Sequence, residues 1–153
     1  MITIKKSETA DSRSCDPTKV SKEQLTISTA QHINDVRQAM WFFIEMMNKA
    51  GKDHDRHKLE TMDRFHEVFK GGFEDETWYN EHMKVSPHHM GDPGTVDLAK
   101  VTLVDVMEYI SDCVMAALGR TGKVTELKID ENVLMQAFKN TAKLLEKNVK
   151  VEG

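Results

Sequence analysis

Apolar residues three or four apart recur in successive stretches of this chain, and that period, rather than strand-like alternation, commits it to helices. The first stretch carries Ile33, Val36, Met40, Phe43, Ile44 and Met47. Ser28 and Gln31 have capping-box spacing, so a helix is predicted over 29–50, and Gly51 can take the left-handed conformation that ends it. A second stripe, Leu59, Met62, Phe65 and Phe69, starts near Asp53 and stops at Gly71 and Gly72. A shorter helix is expected over 75–83. Asp97 then caps a long stripe of Leu98, Val101, Val104, Met107, Ile110, Val114 and Leu118 ending near Gly119, and Asp130 caps a last helix to about Asn148 with Val133, Leu134, Phe138, Ala142 and Leu145 as packing surface. Residues 123–129 are the one strand candidate, with a loop as the alternative. The fold class expected is all-α, a single domain of about five helices.

Residues 1–27 hold no apolar period and are read as an extended or mobile leader before a helical domain over 28–153. In the 84–96 segment Pro87, Gly91, Pro93 and Gly94 break periodic structure, which predicts an ordered turn or lid. Met40, Met46, Met47 and Met107 at helical spacing are read as core. The formal net charge of -4 gives no basic field for duplex nucleic acid. No apolar run is long enough to span a bilayer and no hydrophobic segment follows the N-terminal Lys pair, so the cytoplasm is expected, the host's if the chain is of phage origin. Cys15 and Cys113 are expected as reduced thiols.

All seven histidines fall in the middle of the chain. His32 lies beside the Ile33 stripe, with a structural role as the alternative to chemistry. His54 and Asp55 offer an imidazole and a carboxylate side by side, two ligand types that suit a divalent transition metal. Asp112 sits in the most apolar helix, where an unpaired carboxylate is costly, and Glu108 is one turn before it with Asp105 close to the same face. Such like charges call for a cation between them, unless they form a solvated acidic face.

The order His32, then His54–Asp55, then Asp112 resembles the HD-domain superfamily. The wider pattern GKDHDRHKLE, WYNEHMKVSPHH and LVDVMEYISD followed by MAALGRTG, over about residues 30–122, resembles a small family of uncharacterised phage and bacterial HD-like proteins. The resemblance implies an all-helical metal-dependent phosphohydrolase with His32, His54, Asp55 and Asp112 as ligands of manganese, cobalt, iron, nickel or zinc. His82, His88 and His89 are candidates for a second metal, for phosphate binding or for bracing the loop. Lys58 falls where several superfamily members have HD-x-x-K and is expected to neutralise phosphate; Arg120, two turns beyond Asp112, is expected to fork onto it. Superfamily deoxynucleotidases often carry a glutamate at the position of Lys58, so the general acid is sought in Glu108, His82, His88 or His89, with His88 and Glu108 counted as catalytic.

The expected reaction is hydrolysis of a nucleotide or other small phosphate ester, with Phe73, Trp78 and Tyr79 available to stack on a base. A di-iron oxygenase is the rival enzyme, and a non-catalytic metal- or nucleotide-binding phage protein is the rival of another class. No membrane partner is expected, and a homo-oligomer is compatible with the sequence.

Overall fold

Ser21 and Gln24 start the first helix, not Ser28 and Gln31: the Ser21 N–H donates to Gln24 Oε1 at 2.9 Å and the Gln24 N–H to Ser21 Oγ at 3.2 Å. The computed structural model describes residues 1–6, 16–74, 76–91 and 96–153. It is predominantly all-α, as the periodicity predicts. In chain order the elements are β1 (Ile2–Lys5), α1 (Lys22–Asp53), α2 (Arg56–Glu60), α3 (Met62–Lys70), α4 (Glu76–Val85), α5 (Leu103–Thr121), α6 (Glu131–Lys147) and β2 (Val149–Glu152). No described helix is long and apolar enough to cross a membrane. The chain divides into two compact units, Met1–Glu45 with Ala142–Gly153, and Met46–Thr141.

In the first unit β1 and β2 pair in parallel, Ile2 opposite Val149 and Lys5 opposite Glu152. The periodicity gives no sign of this sheet, because four residues are too few to show alternation. Gln31 Nε2 donates to the Lys5 carbonyl at 2.7 Å, and Ser28 is buried with its hydroxyl on the Leu25 carbonyl. Of the expected leader, residues 22–27 belong instead to α1, and residues 7–15 with Cys15 lie outside the described residues. Ile33, Val36, Met40, Ile44 and Met47, read as a packing stripe, are all exposed.

In the second unit Met90, Val101, Val106, Val133 and Ala137 form the core, with Leu103, Tyr109 and Ile129 packed against it. Two α6 side chains hold the entry to α5. Asn140 Nδ2 donates to the carbonyls of Leu98 and Val101, and Thr141 Oγ1 accepts the Leu103 N–H at 2.8 Å while donating to the Ala137 carbonyl. Helix α5 starts at Leu103 rather than Asp97, because Asp105 accepts from both the Thr102 N–H and its hydroxyl. Asp97 closes the preceding turn instead, accepting the Ala99 N–H. The helix ends on Gly122, whose φ of 69° is left-handed, and residues 123–129 form no strand. Asp130 accepts the N–H groups of Asn132 and Val133 at the start of α6, as expected.

The predicted second helix breaks into α2 and α3 at Thr61, which bonds the His57 carbonyl and accepts from Trp78 Nε1 at 2.8 Å. Helices α2, α3 and α4 pack on one another. Cys113 is a free thiol. The expected lid is only partly described: the 92–95 stretch with Pro93 and Gly94 lies outside the described residues.

Candidate metal centre

Helix α1 runs through Gly51 to Asp53, and the chain then turns at Asp55, which holds the left-handed conformation at φ 53° and ψ 17°. Aspartate tolerates this region better than most residues, and here it swings α2 away from the α1 axis. His54 and Asp55 are thereby presented at a corner. His88 and His89 come to the same place from the turn after α4, His82 from α4 itself, and Glu108 and Asp112 from successive turns of α5.

Two triads result, each of which could hold a metal ion: His54, His88 and Asp112, and Asp55, His82 and His89. In each, the three ligand atoms lie within 4.8 Å of one another. Both adjacent pairs are split between them, His54 from Asp55 and His88 from His89. Asp55 stands between the triads. Its Oδ2 is 3.6 Å from His54 Nε2, and its Oδ1 is 3.4 Å from His82 Nε2 and 3.9 Å from His88 Nε2. His54 Nε2 also lies 3.7 Å from Asp112 Oδ1.

Two atoms at this point are buried with no hydrogen-bond partner, Asp55 Oδ1 and His88 Nε2. An orphaned carboxylate oxygen and an orphaned imidazole nitrogen a few ångströms apart carry a desolvation cost that a cation would offset. His88 is 2% exposed and His82 1%. Imidazole and carboxylate donors together suit a first-row divalent ion.

The rings are braced from outside. His54 Nδ1 hydrogen-bonds Glu108 Oε1 at 3.0 Å, and His88 Nδ1 lies 2.9 Å from the same oxygen. A carboxylate there favours the tautomer with Nδ1 protonated, which leaves both Nε2 lone pairs turned toward Asp55. His82 stacks on Trp78, which stacks on Phe65, and its Nδ1 is 3.3 Å from Ser86 Oγ. His82 and His89 face each other Nε2 to Nε2 at 2.9 Å.

Burial alone would raise the Asp55 carboxyl, but the His82 imidazole and the Lys58 ammonium beside it outweigh that and hold it well below the usual carboxylate range. Lys58 Nζ is 2.5 Å from Asp55 Oδ2. Burial, with the charges of His89 and His54, pushes His88 down to about 4, and burial with His82 and Lys58 lowers His89. Both rings are therefore neutral near pH 7, as ligands must be. Glu108 is raised by burial, against the pull of His54.

Several residues expected at the site are elsewhere. His32 joins neither triad: α1 is unbroken, so His32 stands roughly six turns before its end, exposed. Arg120 is exposed on α5, about 12 Å along the axis from Asp112, and makes no ion pair among the described residues. Asp105 is committed to its helix cap. Trp78, 1% exposed, is closed inside its stack and cannot meet a base; Phe73 packs on Phe65 and Phe69 with part of its ring exposed, and Tyr79 lines a larger cavity with Asp55 and His88. The part sequence reasoning missed is the bracing. Glu108 looked like an acid because its spacing from Asp112 is visible and its facing histidines, 54 and 20 residues away, are not.

Comparison with known proteins finds no matching family model, no matching curated protein and no matching solved structure.

Proposed function

We propose that the chain is a metal-dependent phosphohydrolase of HD type that acts on a nucleotide or other small phosphate ester. The observation that carries the reading is the pair of interlocked triads with Asp55 Oδ1 and His88 Nε2 orphaned between them. His54, His88 and Asp112 hold one divalent ion and Asp55, His82 and His89 a second, a ligand set in which His88 replaces the expected His32. A divalent ion bound there supplies Lewis acidity and lowers the pKa of water toward neutrality.

The chain's own groups do the rest. Lys58, already against Asp55, brings positive charge to the substrate phosphate, and Glu108 orients His54 and His88 rather than donating a proton. The paired triads also favour a second reading, a di-iron oxygenase, since that chemistry needs two ions.

Elemental analysis of the purified protein, followed by phosphate release from a panel of nucleotides and of simple alkyl and aryl phosphates with manganese or cobalt, separates the readings. Close to two transition-metal ions per chain and released phosphate are expected. Asp55→Ala should lose metal from both triads while helix content holds; Lys58→Ala should keep the metal and bind phosphate more weakly. Iron with redox behaviour and no phosphate release would favour the oxygenase. A protein that cannot be loaded with metal would overturn both.

A further inference from the structure

Between the C-terminal turns of α1 and the body of α5 lies a cavity of about 360 Å³ that opens onto the first triad. His54, Glu108 and Asp112 form its polar end. The remaining wall is apolar, with Met47, Met107 and Met115 as its largest side chains. Among the described residues no lysine, arginine, asparagine or glutamine lines it. Ser111 brings the one hydroxyl, and that hydroxyl donates to the Met107 carbonyl at 2.8 Å within its own helix.

Gly51 is the second observation. It lies inside α1, where glycine weakens a helix relative to alanine. Neither usual reason for a glycine applies: its φ is not left-handed, and a Cβ built on it meets nothing within 4 Å. The missing methyl instead leaves space in the wall of the cavity.

We propose that this cavity receives the apolar body of the substrate, so that the ester cleaved is the phosphate monoester of an alkyl or aryl alcohol rather than a sugar phosphate or a polyphosphate. The volume falls in the range of small-molecule sites, and methionine thioethers adapt to irregular apolar shapes. A second phosphate placed there would meet the Glu108 and Asp112 carboxylates, and the hydroxyls of a sugar would find partners only at that polar end and lie elsewhere against thioether and methyl groups. The cleavage step rests on the hydrolase reading; the recognition of the apolar body rests on the cavity alone. Water oxygen bonds to phosphorus, the ester P–O bond breaks, and the alcohol leaves with one proton of that water while the other stays on the phosphate.

Hexylphosphonate and methylphosphonate, which cannot be hydrolysed, test the binding by titration into the manganese-loaded protein. The hexyl compound should bind at least about tenfold tighter, a factor that two buried methylenes already supply. With the diamagnetic zinc-loaded protein it should shift the methyl signals of Met47, Met107 and Met115. Gly51→Leu should erase the hexyl advantage, and Gly51→Ala should raise the melting temperature while reducing that advantage. The wild-type comparison stands even if the leucine variant does not fold. Equal affinities, or methyl shifts confined to other methionines, would overturn the proposal.

Hexyl phosphate and glycerol 3-phosphate, whose leaving alcohols are of similar acidity, are assayed in parallel. Equal turnover of the two would also sink the cavity proposal and leave the hydrolase reading standing. Selective hexyl binding with no turnover of either ester or of any nucleotide would sink the hydrolase reading and leave the cavity proposal standing.

Discussion

Glu108 meets two imidazoles through a single oxygen, so its substitution tests how much of the site is held ready before any ion arrives. Glu108→Gln keeps an acceptor but removes the charge that favours protonated Nδ1 on both rings. The expected loss is on the order of 10- to 100-fold in metal affinity, with unchanged circular dichroism, read by calorimetric titration with zinc. Unchanged affinity would show that the rings need no brace. At this scale the sequence was legible only where ligand types sit side by side. His54–Asp55 announces itself, and Asp112 stands out because its helix is otherwise apolar. The spacing of residues along a chain says nothing about a corner such as the one Asp55 makes at φ 53°, so it places His32 among the ligands and leaves His88, which the fold brings beside His54 and Asp112, with several roles open.

Helices were more legible than their ends. Every periodic stripe became helical, the second as the two helices α2 and α3, yet α1 begins at Lys22 and α5 at Leu103, since capping is decided by which side chain reaches an unpaired N–H, and several candidates lie within one turn. Helix α6 shows what periodicity leaves out. Its stripe looked like packing surface, but Asn140 and Thr141 on it fix the entry to α5, and α5 carries Glu108 and Asp112. Thr141→Val would leave the Leu103 N–H buried without an acceptor, at a cost of about 1–3 kcal/mol. A thermal melt checks this, and an unchanged midpoint would mean that water takes the place of the hydroxyl.

At the level of the whole molecule, stability should follow pH through the buried histidines. His88 titrates near 4 in the folded chain against an ordinary value of 6.5, so between those values the unfolded chain binds a proton that the folded one refuses. Stability of the metal-free protein therefore falls as pH drops from about 6.5 toward 4. His89 acts in the same direction, and Asp55 extends the loss below its ordinary 3.8. Glu108, raised above its ordinary 4.5, contributes with the opposite sign over that narrower range. Melting temperatures recorded across pH 5–7 should decline toward the acid side, and a flat profile would contradict the burial of these rings. The all-α class was readable from composition and period alone, whereas the parallel pairing of β1 with β2 joins the two ends of the sequence and leaves no local trace.

The division of His54 from Asp55, and of His88 from His89, has a consequence for how such a chain can change over time. Neighbouring residues serve different triads, so inserting or deleting a single residue at either corner would carry a ligand of one set into the place of the other's and leave one place without a ligand. At these two dipeptides the count of residues is itself part of the chemistry, and a descendant could vary almost any side chain on the surrounding helices more safely than it could gain or lose one link there.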